Sequence, residues 1–192
     1  VDQTFGDAAI AFGMADQAAF SQMLQTALAR YPEHKVLLKI HPDVFAGKKR
    51  GYFSDLDAAT QARVTILAKD VHPAGLLQHA EAVFCVTSQM GFEALLWQKP
   101  VFTFGMPFYA GWGLTVDQVT QLRRQRSLTL PQLLAATLIM YPTYVSVQFG
   151  CYTTAEHSLN ELAAMRNQQQ FSLAGTGRRL LRVLVNLLVK PA

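Results

Sequence analysis

Cysteine is scarce in this 192-residue chain, which carries only Cys85 and Cys151. Two thiols do not make a disulfide scaffold, and Cys85 lies inside the apolar run 83–86, where it reads as a buried thiol in a reducing compartment. Long hydrophobic runs are missing as well, since no apolar stretch approaches the roughly 18 residues of a membrane span. The five histidines (34, 41, 72, 79 and 157) lack paired ligand spacing, and Asp55 and Asp57 lack the spacing of a calcium loop. No Walker lysine motif, dinucleotide glycine fingerprint or nucleophile elbow occurs. Metal binding and the common nucleotide and hydrolase signatures therefore find no support. The chain opens at Val1, without a methionine or a basic n-region, and so shows no signal peptide. It starts directly before a polar turn, in the manner of a strand that has been cut, and reads as a fragment.

The composition that remains is 51% hydrophobic and 16% charged, enough to support a core and too apolar for disorder. Charge is unevenly spread. Residues 1–120 hold nine basic and eleven acidic groups, whereas residues 121–192 hold eight basic and two acidic. The net charge of +4 thus belongs to the last third of the chain and makes no case for nucleic acid.

Along the first 105 residues, helical and strand-like patterns alternate. Within 13–30, Phe20, Met23, Leu24, Ala27 and Leu28 recur at spacings of three and four, which predicts a helix ended by Pro32. Strands are expected at 35–40, 64–67, 83–87 and 101–104, with helices at 74–80 and 89–97. Residues 47–61 read as a polar stretch containing Lys48-Lys49-Arg50. Short apolar strands separated by helices require a parallel sheet covered on both faces, an α/β fold. Beyond Gly105 come a glycine- and aromatic-rich loop, an arginine cluster at 123–126, helices at 130–140 and 156–170, and a leucine-striped segment at 178–190. The organisation expected is one domain over 1–170, with a sheet core at 1–105 and a loop and helical extension at 106–170. A basic amphipathic tail at 171–192 follows. Its leucines can rest on an anionic membrane surface or pack on the domain, and both readings stay open.

Four clusters can carry chemistry. Asp2, Gln3 and Asp7 lie where α/β enzymes place reactive groups, in a turn after a strand end, although such aspartates also cap helices. In Lys39-Ile40-His41-Pro42-Asp43, strand alternation puts Lys39 and His41 on one face, both able to donate to a phosphate, and Pro42 sets the exit direction. Thr87 and Ser88 stand at a strand-to-helix junction, with Gly91 leaving room for close ligand approach and Glu93 on a half-buried helix that wants a partner or a ligand hydroxyl. The plainer reading is a Ser88 helix cap with Glu93 in solvent. The fourth cluster is the loop Gly105-Met106-Pro107-Phe108-Tyr109-Ala110-Gly111-Trp112-Gly113, whose aromatics suit a base or a sugar ring, or else seal the sheet end. Arg123, Arg124 and Arg126 either steer an anionic substrate or form a solvated face.

In order, these clusters resemble the KpsC-like capsule polysaccharide glycosyltransferases of Gram-negative bacteria, which add β-linked 3-deoxy-manno-octulosonic acid (Kdo). The resembling stretches are Val1-Asp2-Gln3-Thr4-Phe5-Gly6-Asp7, residues 39–44 with Gly47, residues 87–96, the 105–115 loop, the arginines at 123–126, and Tyr141-Pro142 with Tyr144. The likeness runs from 1 to about 165, and the long 105–115 run makes it specific.

The resemblance implies tandem transferase modules, each of two Rossmann-like halves facing a cleft, and places this chain as the nucleotide-binding C-terminal half of a module in a GT-B-like arrangement. The opening residues favour the second module. It implies a retaining transfer of Kdo from CMP-Kdo onto a lysophosphatidylglycerol-linked Kdo chain, with the missing N-terminal half-domain supplying the acceptor surface. By the same likeness His41 and Lys39 contact the CMP phosphate, with Thr87 and Ser88 on the phosphate or sugar carboxylate. Glu93 takes the ribose hydroxyls, and Asp7 is the nucleophile. Gln3, Met106, Phe108, Tyr109 and Trp112 form the substrate loop. No metal or other cofactor is expected, because Lys39, His41 and backbone groups can take its place. The implied location is cytoplasmic and peripheral on the inner membrane. Two other readings are a Rossmann-like enzyme using a different nucleotide sugar and a non-catalytic carbohydrate-binding or assembly domain.

Overall fold

A computed structural model describes residues 1–53, 56–68 and 71–171. The chain divides into two compact units, Val1–Leu133 and Leu134–Ala192. The tail expected at 171–192, with its helix at 178–190, lies outside the described residues apart from Phe171, the last residue of a helix.

In the first unit, residues 1–4 run extended into α1 (Ala8–Phe12) and α2 (Gln17–Arg30). There follow β1 (Val36–Lys39), α3 (Pro42–Phe45), α4 (Ala58–Arg63) and β2 (Val64–Leu67). Next come α5 (Pro73–His79), β3 (Val83–Cys85), α6 (Met90–Leu96), β4 (Val101–Thr103), β5 (Val116–Asp117) and α7 (Leu130–Leu134). β1 pairs with β2 in parallel, and β3, β4 and β5 form a second parallel set. Residues 1–2 join the two sets. The Asp2 N–H donates to Lys39 O at 2.9 Å, and the Val1 amine donates to Phe84 O at 2.9 Å. The resulting order is β2, β1, residues 1–4, β3, β4, β5. Strand order therefore reverses between residues 1–4 and β3, as in a doubly wound Rossmann sheet.

Side-chain alternation explains why both faces are covered. Leu38, Phe84, Val86, Phe102 and Phe104 pack with α2 residues Phe20, Met23 and Leu24. Phe20 stacks on Tyr52 with centroids 3.8 Å apart, and Phe84 stacks on Phe102 at 4.6 Å. Val83, Cys85, Val101 and Thr103 point the other way, the side on which α6 packs against β3 and β4. Helix ends follow their caps: Asp16 accepts from the Ala18 and Ala19 N–H groups, and Pro73 opens α5. Arg63 donates to the carbonyls of Leu28, Tyr31 and Pro32, closing the C-terminal end of α2.

The four expected strands are present, each shorter at its C-terminal end except 64–67. The polar stretch 47–61 hides the start of α4, capped by Asp57. The helix expected at 130–140 is α-helical only to Leu134 and continues as a π-helix, Ala135–Met140.

The second unit contains the antiparallel hairpin of β6 (Tyr144–Val145) and β7 (Tyr152–Thr153), followed by α8 (Ala155–Phe171). Glu161 ties the two by accepting from Ser146 Oγ at 2.5 Å and Val147 N–H at 2.9 Å, and the Ser146 bond holds its carboxyl below the usual range. No described helix is long and apolar enough to cross a membrane.

Candidate functional site

Ligands of doubly wound sheets bind outside the carboxyl ends of the strands, where strand order reverses. Here the three central carboxyl ends are those of β1, residues 1–4 and β3, and the chain leaving them carries His41, Asp7 and Ser88 respectively.

Asp7 caps α1, with Oδ1 accepting from Ala9 N–H at 2.9 Å. That bond orients the carboxylate and leaves Oδ2 without a protein donor among the described residues. The exposed His41 accepts from Asp43 N–H at Nδ1, at 3.2 Å. A neutral imidazole so held carries its proton on Nε2, which makes the outer nitrogen the donor. Lys39 and Glu93 are half-buried and have no hydrogen-bonded or ion-paired side-chain partner among the described residues. Pro42 opens α3, immediately after His41.

The Thr87 and Ser88 pair divides its work. Gln3, expected on the substrate loop, is buried instead and spends its amide on Thr87. Its Oε1 accepts from the Thr87 N–H at 3.0 Å, and Nε2 reaches the Thr87 hydroxyl at 3.0 Å. Thr87 is thereby held as a tie between two neighbouring strands. Ser88 Oγ accepts from Met90 N–H at 3.3 Å, a local cap that leaves its own proton available as a donor.

Gly91, read from sequence as a place of close ligand approach, is filled from the protein side. An added Cβ would collide with the Tyr109 hydroxyl and lie 2.7 Å from Cys85 Sγ. Tyr109 is fully buried and donates to Ser88 O at 2.5 Å, so the single proton on the 3.2 Å Cys85 contact comes from the thiol. Burial pushes both the phenol and the thiol above their ordinary values, which keeps both protonated.

The rest of the 105–113 loop is likewise mostly internal. Met106 is buried, Phe108 is exposed against Phe92, and Trp112 donates from Nε1 to Phe108 O at 2.8 Å. Asp117, a residue that motif reading passed over, accepts from Thr103 Oγ1, Thr115 Oγ1 and Gly111 N–H. Arg124 donates to Pro107 O and Ala110 O and lies over the Trp112 ring at 5.4 Å. Of the three arginines read as substrate-steering, it is thus committed to the loop, and Arg123 and Arg126 are exposed.

Asp2 is the other residue whose role emerges only in three dimensions. It is buried, and Oδ1 accepts from Gln3 N–H at 2.9 Å and Tyr52 N–H at 3.1 Å, while Gly51 makes room for Oδ2. Burial raises its carboxyl above the ordinary value. The Tyr52 and Gln3 N–H groups, the Val1 amine and His41 all act in the opposite direction. A carboxyl raised on folding stabilises the fold fully below its unfolded value, and that contribution is lost as pH rises through the folded value. Asp2→Asn keeps the Oδ1 acceptor and removes the ionisation. Its melting temperature should gain on the parent as pH rises from 3.5 to 8. Parallel melting curves for the two proteins would contradict this account.

Residues 1–149 match the family described as capsule polysaccharide biosynthesis protein, and the chain belongs to that family. It is 47% identical over 156 residues to the capsule polysaccharide modification protein LipA of Neisseria meningitidis, covering 78% of this chain and 22% of that one. To the lipopolysaccharide-processing protein LpsZ of Rhizobium meliloti it is 36% identical over 167 residues, covering 87% and 38%. Two solved structures from Thermosulfurimonas dismutans share the fold. The KpsC beta Kdo 2,4 transferase aligns with TM-score 0.77 and 39% identity over 84% of this chain and 50% of that one. The KpsC beta Kdo 2,7 transferase aligns with TM-score 0.67 and 30% identity over 85% and 51%. The chain thus spans less than half of the curated relatives and about half of each structure. The fold is the mixed α/β, Rossmann and GT-B-like arrangement expected from the sequence.

Proposed function

We propose that this chain is the nucleotide-sugar half of a retaining Kdo transferase acting in capsule polysaccharide assembly, with CMP-Kdo as donor. One observation carries the reading: Asp7, the outward Nε2–H of His41 and the free Ser88 hydroxyl proton follow three adjacent strand ends at the reversal of strand order. An anionic phosphate there meets Lys39 and His41, whose charge and hydrogen bonds stabilise the departing CMP. Glu93, without a side-chain partner among the described residues, takes the ribose hydroxyls. The Asp7 carboxylate attacks the anomeric carbon as the bond to the CMP phosphate breaks with its electron pair. The acceptor hydroxyl then displaces Asp7 and passes its proton to the released CMP phosphate beside it, so that two inversions retain configuration.

The acceptor is a glycolipid end, presented by a facing half-domain at the inner-membrane surface. The higher likeness to the beta Kdo 2,4 transferase than to the 2,7 transferase favours the 2,4 linkage. A calorimetric titration of the full-length enzyme with CMP tests the donor site. The parent should bind CMP in preference to UDP or GDP, and His41→Ala should weaken CMP roughly tenfold or more, the loss of one charge-assisted hydrogen bond. Unchanged affinity would remove His41 from the phosphate site. Preference for UDP or GDP would favour a different nucleotide sugar.

A further inference from the structure

One charged run stands outside the proposed donor site. Lys48, Lys49 and Arg50 follow α3, and all three are exposed. Their backbone is fixed at both ends. The Lys48 and Lys49 N–H groups donate to Asp43 O at 2.9 and 3.1 Å, which folds the run back on the turn that begins at His41. Arg50 O accepts from Phe5 N–H at 2.7 Å, and Tyr52 N–H donates to Asp2 Oδ1 at 3.1 Å. The run thus lies beside residues 2–5, at the same carboxyl edge as Asp7. None of its three side chains forms an ion pair among the described residues.

Phe5 stands next to these cations. Asp7 N–H donates to Thr4 O at 3.2 Å, closing a turn with Gly6 at φ +78° that holds Phe5 on the rim, two residues before Asp7. The Phe5 side chain is 52% exposed, yet its ring is braced from the core. Its centroid lies 5.4 Å from that of Tyr52, which in turn stacks on the buried Phe20 at 3.8 Å. The Arg50 guanidinium carbon sits 6.0 Å from the Phe5 centroid, at the outer reach of a cation–π contact. An open aromatic face therefore adjoins three cations that have no carboxylate partner among the described residues.

A pyranose bearing a carboxylate fits both features. Its C–H face lies on the ring, and its carboxylate takes the guanidinium and ammonium donors. A lipid phosphate would use the cations alone. The donor does not need them either, since its one phosphate and one carboxylate are assigned to Lys39, His41 and Ser88. We propose that Phe5, Lys48, Lys49 and Arg50 form a subsite for the acidic sugar at the acceptor end, beside the Asp7 that holds the transferred sugar. The inference rests on the proposed transferase reading and adds to it the residues that select the acceptor by its carboxylate.

The test uses the full-length enzyme, its triple variant Lys48→Gln, Lys49→Gln and Arg50→Gln, and Phe5→Ala. Each is titrated with a Kdo disaccharide glycoside as the free acid and as the methyl ester, and separately with CMP. The parent should bind the acid roughly tenfold tighter than the ester, the sum of a few exposed charge contacts, and added salt should shrink that preference. The triple variant should bind the acid no better than the ester, and Phe5→Ala should weaken both forms alike. CMP affinity should be unchanged throughout. Full affinity for the acid in the triple variant, or for either sugar in Phe5→Ala, would overturn the proposal. So would an equal loss of CMP affinity, which would return the cations to the donor. Binding to phosphatidylglycerol vesicles that the triple variant loses while keeping the sugar would assign the run to a lipid surface and overturn it too. Failure of the parent to bind CMP would reject the donor assignment, whereas the preference for acid over ester reads this subsite directly.

Discussion

Replacing Gly91 with alanine should cost about 2–3 kcal/mol and lower the melting temperature by about 5–10 °C, the expected penalty for overpacking a filled site. The added methyl would enter space held by the Tyr109 hydroxyl and approach Cys85 Sγ at 2.7 Å and Tyr109 Cζ at 2.8 Å. The Tyr109 hydroxyl and Cys85 Sγ end side chains that are fully buried and hydrogen-bonded to each other. Tyr109 is buried, held by its bond to Ser88 O and by ring contacts with Phe92 and Phe108, so it has nowhere to retreat. The double variant Gly91→Ala with Tyr109→Phe removes the worst collision, and its loss should be smaller than the sum of the two single losses. Strict additivity would show that the methyl and the ring do not meet. Because Tyr109 holds the Ser88 carbonyl, Gly91→Ala should also weaken CMP binding in the full-length enzyme.

Asp7→Asn in the full-length enzyme should reduce transfer on the order of 10⁴-fold while CMP binding persists, if the carboxylate is the nucleophile. Asparagine is as good a helix cap as aspartate, so the bond to Ala9 N–H and the start of α1 survive the change. Asp7→Ala should lose transfer equally and also about 1 kcal/mol of stability, because the cap is gone. Comparing the two separates chemistry from capping, the two readings that the sequence left open for this residue. A transfer rate near that of the parent in Asp7→Asn would end the nucleophile assignment.

The main elements could be read because their causes are local. The α2 stripe at Phe20, Met23, Leu24 and Ala27 is periodic in the sequence and buried in the structure. The short apolar strands are bounded by proline and polar turns. α4 was missed because its six residues, AATQAR, carry no apolar face, and none of them is buried. β5 was missed because it is two residues long and is set by pairing with β4 and by the bonds to Asp117. The positions of Asp7, His41 and Ser88 just past strand ends could be read from the turn residues beside them. The role of Gln3 was misplaced because its partner Thr87 is 84 residues away. Tyr109 and Met106 looked like ligand contacts because an aromatic or a thioether between glycines carries no mark of burial.

By itself, the sequence determined an α/β chain, the residues that leave its strand ends, and a family likeness that the matched residues 1–149 uphold. Periodicity and turn chemistry act within a few residues, and so they are written in the local order of the chain. Only the tertiary structure decided that residues 1–4 join two parallel strand sets, and that Gly91 serves Tyr109. It also decided that Asp2 and Asp117 serve as hydrogen-bond anchors. Each of these depends on groups brought together from distant parts of the chain, where burial and pairing, not local preference, set the free energy.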